Sequence, residues 1–112
     1  MFDIAEHSAF IHGPFTICNY TENYIEIKSK MTNHMWLIRK FDDNKFPPMV
    51  LYHSHSVNKP YHVHCVYDND NALLCYSEIN CHDKLITNRK KLRKKLTSLT
   101  NRQLIEAIIK KT

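Results

Sequence analysis

The sequence predicts an α+β domain, in which an antiparallel sheet of five or six strands is followed by two C-terminal helices packed on one face. Two observations lead to this prediction. Short segments rich in Val, Ile, Tyr and Phe, separated by polar turns, fill residues 15–79, and the apolar period then changes from 2 to 3.6 near residue 85. Because 112 residues suffice for one modest core, we expect a single domain over residues 1–112.

The predicted strands follow one another along the chain with turn-forming residues between them. Residues 24–30 alternate apolar and polar side chains as a half-buried strand does, and the pair Pro47-Pro48 excludes helix before the next strand. Residues 3–10 give a weak signal for one short helical turn. The strands are predicted at residues 15–20, 24–30, 35–41, 50–55, 61–67 and 72–79.

The predicted helices rest on leucines and isoleucines at helical spacing. Thr100 and Gln103 are spaced as in a capping box, which marks a helix start. We therefore predict helices at about residues 88–98 and 101–111, with one bent helix as the alternative. The spaced residues are Leu85, Leu92, Leu96, Leu99, Leu104, Ile105, Ile108 and Ile109.

Residues 50–67 carry four of the eight histidines and are predicted to form a β-hairpin with a polar turn at residues 58–60. If residues 56–61 form the loop, all four imidazoles share one face, whereas a slip of one residue splits them. This register pairs His55 with His62 and His53 with His64. It predicts an apolar opposite side made of Val50, Tyr52, Val63, Cys65 and Tyr67.

Histidines at positions i and i+2 of a strand point the same way, and such a pair offers two nitrogen ligands to zinc, copper, iron or manganese. The hairpin therefore predicts a divalent metal site, against the alternative that exposed histidines on a wet sheet face have no role. The predicted ligands are His53, His55, His62 and His64, and Cys75, Cys81 and His82 are the other candidates for a third or fourth ligand.

The positive charge of the chain is concentrated at its C-terminal end. Residues 84–112 hold ten Lys or Arg against one Glu, while the net charge of the whole chain is only +5. A helix with this many cations can neutralise phosphates, so we predict nucleic acid or an acidic protein as the partner, with a merely solvated face as the alternative. The predicted binding residues are Arg89, Lys90, Lys91, Arg93, Lys94 and Lys95.

Other classes of protein are disfavoured by composition. A single glycine excludes glycine-rich phosphate loops, and no apolar run of 18 residues is present, so no membrane segment is predicted. The first residues lack the pattern of a signal peptide, which leads us to expect a cytoplasmic protein. No spacing of residues singles out a catalytic group.

His62-Val63-His64, preceded by Lys59-Pro60-Tyr61, resembles the His-hydrophobic-His motif of the HUH endonucleases. In that family the two histidines hold a divalent metal on a central strand, and a tyrosine on a following helix attacks DNA. The resemblance implies a metal-dependent nuclease. The two predicted helices contain no tyrosine, so no residue is assigned to the nucleophile.

A second resemblance covers residues 49–111. It rests on the aromatic strand at 50–52, the motif at 58–64, the basic run at 89–93 and the final segment Leu104-Ile-Glu-Ala107. These look like a small toxin–antitoxin-associated bacterial domain of unknown function with an Asn-Pro-Pro-His-x-His-Val motif. The sequence therefore predicts a small basic protein of toxin–antitoxin or mobile-element type that acts on nucleic acid or on a protein that handles it, with the metal-dependent nuclease as the alternative.

Overall fold

One short helix, five strands and one long helix follow one another in the computed structural model, which confirms the α+β class. The structure describes residues 2–42 and 46–97, and only the backbone of residues 94–97. The elements are α1 (Ile4–His12), β1 (Phe15–Tyr20), β2 (Tyr24–Ser29), β3 (Met35–Lys40), β4 (Met49–Ser54), β5 (His62–Tyr67) and α2 (Leu73–Thr97).

The five strands form one antiparallel sheet in the order β1-β2-β3-β4-β5, so each strand pairs with its neighbour in sequence. Alternate side chains of the central strands point to the side on which α1 and α2 pack, as the strand period of 2 requires. These side chains are completely or almost completely buried and form the core. The core consists of Phe2, Phe10, Phe15, Ile25, Ile27, Trp36, Ile38, Met49, Leu51, Ala72, Cys75 and Ile79.

Helix α2 begins about 15 residues earlier than predicted, so the strand predicted at residues 72–79 is wrong. Ala72, Cys75, Ile79 and Asp83 are fully buried, and their spacing of three or four residues is that of a helix face. The helix predicted at 88–98 is the later part of α2, whereas the one predicted at 101–111 lies outside the described residues. None of the described helices is both long and apolar enough to cross a membrane.

The later part of α2 does not pack on the sheet as its leucines led us to expect. Leu85 is 58% exposed and Leu92 is 57% exposed, while Asp83 is completely buried. The packing of α2 nevertheless continues to about residue 87, since Ile86 and Thr87 are half-buried, and residues 88–93 beyond it are exposed.

A buried carboxylate joins the two helices to the sheet. Glu6 forms a capping box with Asp3 at the start of α1, and its carboxylate also accepts from Lys40 Nζ at 2.8 and 2.9 Å and from the backbone amide of Ala72. The ammonium of Lys40 lies 4.7 Å from the ring centre of Phe2. Glu6 and Lys40 are both buried, so their ion pair offsets part of the cost of removing each charge from water.

Replacing Glu6 with Gln should lower the free energy of unfolding by about 3–5 kcal/mol, because it breaks a buried ion pair and leaves an amide in place of the carboxylate. The exposed residue Glu22 offers a matched control, and Glu22→Gln should change stability by no more than about 0.5 kcal/mol. Urea denaturation followed by circular dichroism measures both. Equal effects of the two substitutions would show that the buried pair does not stabilise the fold.

Candidate metal centre

Six of the eight histidines converge where α2 crosses strands β3, β4 and β5. His53 is at their centre and is 2% exposed. The ring centroids of the other five histidines lie 4.9–5.8 Å from that of His53. We call this set the histidine cluster: His34, His53, His55, His62, His64 and His82.

The sheet register places three aromatic side chains of the site in one row. His53 on β4 lies opposite Trp36 on β3 and opposite His62 on β5. Trp36 is fully buried, and its ring centroid lies 4.3 Å from that of His53, 4.9 Å from that of His82 and 5.1 Å from that of His64. The only tryptophan of the chain therefore forms the floor of the histidine cluster.

The observed hairpin register differs from the predicted one, in which His55 faced His62 and His53 faced His64. The loop causes the difference at the turn, because residues 54–61 separate the paired His53 and His62, instead of the predicted residues 56–61. A bulge on β5 then shifts the later pairs by one residue, since two residues of β5, of which His64 is the extra one, span one step of β4. His64 nevertheless remains on the helix side, beside Trp36. The observed pairs are His53 with His62, Tyr52 with Val63, and Leu51 with Cys65.

The same bulge makes the predicted apolar side of the hairpin wrong in part. Leu51, which shares the face of His53 on β4, is completely buried in the core, whereas Val63, predicted on the apolar side, is 55% exposed. Cys65 and Tyr67 do pack against the core as expected. The histidines and the apolar core thus share the face that α2 covers, instead of lying on opposite faces.

A second buried carboxylate fixes the position of His82. Asp83 accepts hydrogen bonds from Ser29 Oγ at 2.6 Å and from Thr32 Oγ1 at 3.2 Å, which ties α2 to the connection between β2 and β3. Thr32 Oγ1 also accepts from the backbone amide of His34 at 3.2 Å. The contact therefore places His82 and His34 on the same part of the cluster, with ring centroids 5.6 Å apart.

The imidazole rings contact one another through their nitrogens. His53 Nε2 lies 2.9 Å from His34 Nδ1, and His53 Nδ1 lies 3.3 Å from His62 Nε2. His64 Nε2 lies 2.9 Å from Glu78 Oε1, where it is the donor, so its lone pair is on Nδ1. His82 Nδ1 is buried, has no hydrogen-bond partner among the described residues and lies 3.8 Å from Asp83 Oδ1.

The environment of the cluster favours the neutral imidazole at His34, His53 and His82. Burial, followed by repulsion from His82, His34, His55 and His62, lowers the pKa of His53 to about 3. Burial also lowers the pKa of His34 and that of His82, and neighbouring histidines add to both effects. A neutral imidazole has a free lone pair, which is the form that binds a metal ion.

Two overlapping sets of histidines have the spacing of a metal site. In each set the three ligand atoms lie within 4.8 Å of one another. A tetrahedral ion with bonds of about 2.0–2.1 Å separates its ligands by roughly 3.3 Å, the distance between His53 Nδ1 and His62 Nε2. The inner set is His34, His53 and His82, and the outer set is His53, His62 and His64.

Three of the four predicted ligands, His53, His62 and His64, thus belong to the outer set. His55 is exposed and belongs to neither set, although its ring lies 5.2 Å from that of His34. His82 was only one candidate among several for a further ligand, and His34 was missed, because no local motif reveals which strand lies beside β4. The Sγ atom of Cys75 lies 3.8 Å from Met49 Sδ inside the core, and Cys81 is exposed.

The predicted binding residues lie on the later part of α2. Arg89, Lys90, Lys91 and Arg93 are exposed. Lys94 and Lys95 continue the same helix, but their side chains lie outside the described part of the structure.

No protein-family model matches the chain, and comparisons with curated proteins and with solved structures give no match either. The two resemblances stay predictions. One detail of the endonuclease resemblance needs correction, because the early start of α2 includes Tyr76 in this helix. Its ring packs against Phe10 and Phe15 at centroid distances of 5.6 and 5.5 Å, so its ring belongs to the aromatic core.

The lowered pKa of His53 predicts how the metal-free protein responds to acid. Between the ordinary pKa of 6.5 and about 3, the unfolded chain binds a proton that the folded ring does not, so the free energy of unfolding falls as the pH falls below 6.5. The same sign applies to His34 and His82. Urea denaturation in the presence of a chelator, between about pH 7.5 and pH 5.5, should show this fall.

His53→Gln should make the fall in stability shallower, whereas the same substitution at the exposed residue His12 should leave it unchanged. A wild-type stability that rises or stays level over this range would contradict the burial of neutral histidines.

Proposed function

We propose that the protein binds a divalent transition-metal ion at the histidine cluster. The observation that carries this proposal is the position of His53, a buried histidine whose two ring nitrogens both face nitrogens of other histidines, His34 and His62. Neutral imidazoles can hydrogen-bond to one another, but grouped histidines repel one another when protonated, and burying them together costs free energy. A bound cation turns their lone pairs into a shared stabilising contact.

The donor atoms indicate the class of metal. Neutral imidazole nitrogens suit zinc, copper, nickel and cobalt, whereas magnesium and calcium require oxygen ligands. The carboxylates of Glu78 and Asp83 lie behind the ligands: one contacts His64 and the other lies beside His82. Carboxylates in this position orient a ligating histidine and increase its basicity.

The orphan nitrogen of His82 supports the same proposal. A buried polar atom without a partner costs free energy in proportion to its lost hydration. His82 Nδ1 is such an atom in the described structure, and the inner set places His82 beside His34 and His53. Binding of an ion in the cluster would give the buried ring a favourable electrostatic partner.

Tag-free protein, stripped with chelator and dialysed, should bind zinc and copper but neither magnesium nor calcium. Because Trp36 contacts three of the histidines, copper binding should quench the fluorescence of this single tryptophan. His53→Gln should weaken binding by more than the ~10–100-fold that removing a partner of a ligand causes, while His12→Gln should bind as wild type. Calorimetry and elemental analysis give the affinity and the metal content.

Absence of bound metal in the wild-type protein at micromolar ion would overturn the proposal. Equal binding by the His53 and His12 variants would overturn the assignment to this cluster.

As a second function, we propose that the later part of α2 binds nucleic acid. This proposal rests on the exposure of four cations, Arg89, Lys90, Lys91 and Arg93, on a helix segment beyond its contact with the sheet. Such a segment can approach phosphates without moving the rest of the fold. The resemblance of residues 49–111 to a toxin–antitoxin-associated domain agrees with a partner of this kind.

Changing Arg89, Lys90, Arg93 and Lys94 together to Gln should weaken nucleic-acid binding and reduce its dependence on salt. Each lost phosphate contact removes about 0.9 from the slope of log affinity against log salt for duplex DNA. Fluorescence anisotropy with labelled duplex DNA, single-stranded DNA and RNA, over a range of salt concentrations, measures both quantities.

The double variant Lys30→Gln/Lys59→Gln provides the control, since both lysines are exposed outside α2. Wild-type affinity and salt slope in the quadruple variant would overturn this proposal. Cleavage of the labelled nucleic acid only when metal is present, lost in the His53 variant, would support the metal-dependent nuclease instead of a binding protein.

A further inference from the structure

The two histidine sets share one residue. His53 belongs both to the inner set, with His34 and His82, and to the outer set, with His62 and His64. An imidazole has two nitrogens on opposite sides of its ring, so one histidine can serve two ions only if each nitrogen faces a different set of ligands.

His53 meets this condition. Its Nε2 faces His34 Nδ1 at 2.9 Å, in the inner set, and its Nδ1 faces His62 Nε2 at 3.3 Å, in the outer set. The ring is held in this orientation by Trp36, whose centroid lies 4.3 Å away, and by its burial under α2. Rotation of the ring by half a turn about the Cβ–Cγ bond would put ring carbons in place of the nitrogens, so this orientation is the one that lets each nitrogen face one set.

We propose that the cluster holds two transition-metal ions bridged by the imidazolate of His53. The inner ion is bound by Nε2 of His53 together with His34 and His82, and the outer ion by Nδ1 of His53 together with His62 and His64. This inference rests on the proposed metal binding and extends it from one ion to two.

The charges of the site are consistent with two ions. Bridging requires the neutral ring of His53 to lose its remaining N–H proton, which passes to solvent as the second ion binds. Each set also has one carboxylate close to a ligand, since Glu78 contacts His64 and Asp83 lies beside His82. The imidazolate and the two carboxylates together offset most of the charge of two divalent ions.

The bridge sets the distance between the ions. Two metal–nitrogen bonds and the width of the ring give a separation on the order of 6 Å. This is longer than the roughly 3.5–4 Å of two-metal sites that share an oxygen, so the bridged centre differs in kind from a two-metal hydrolytic site. Copper ions joined through an imidazolate couple antiferromagnetically, which provides a spectroscopic signature independent of any activity.

The test is a titration of the metal-free, tag-free full chain with copper(II), followed by equilibrium dialysis and low-temperature electron paramagnetic resonance. We expect two ions per chain, with the signal rising over the first equivalent and falling as the second ion binds. His62→Gln and His34→Gln each disable one set, so each should bind one ion and retain its signal. Both residues lie outside the core, which avoids reliance on a His53 variant that fails to fold. His12→Gln should behave as wild type.

Each other outcome has a distinct meaning. Two ions with the full signal of two independent copper centres would overturn the bridge. One ion per chain in the wild type would overturn the second site and leave the proposed metal binding standing. No bound ion would overturn both.

Discussion

The position of helix α2 across the sheet is the constraint on which the histidine cluster depends. Two buried carboxylates fix that position. Glu6 accepts from the amide of Ala72 just before the helix, and Asp83, three turns later, accepts from Ser29 and Thr32. Fastening a helix at two points about 16 Å apart sets both its direction and its rotation. His82, adjacent to Asp83, is therefore held over His53 with little freedom to move.

The interaction that positions the cluster also explains its electrostatics. A fixed helix excludes water from His53 and brings other histidines around it, so burial and these neighbours lower the pKa of His53, and the same causes lower those of His34 and His82. These three rings are thus uncharged donors inside a chain whose net charge is +5. Cationic side chains are instead concentrated on the later part of α2, where Lys90 is still close enough to contribute to the lowered pKa of His34.

How far the sequence predicted this structure depended on how regular each pattern was. The strand alternation of residues 15–67 is regular, and the five strands agree with the structure to within one or two residues at their ends. The strand predicted at residues 72–79 was wrong because the short apolar run Ala-Leu-Leu-Cys-Tyr fits both the strand period of 2 and the helix period of 3.6. Its true helical face includes Asp83, a polar residue that a hydrophobic pattern cannot reveal as buried. His34 was missed for a related reason, since strand neighbours far apart in sequence leave no local motif.

The bulge at His64 decided the rest of the site. Strict alternation allows the histidines of β5 or its residues Cys65 and Tyr67 to face the helices, but not both groups. The extra residue of the bulge lets both groups face the helices, because His64 and Cys65, although adjacent in sequence, both point to the side of α2. Strand β5 lies at the edge of the sheet, where bulges are common and discourage pairing with another chain. The edge position of β5 also leaves His62 exposed. The bulge therefore brings Cys65 to the core while His62 stays accessible from solvent.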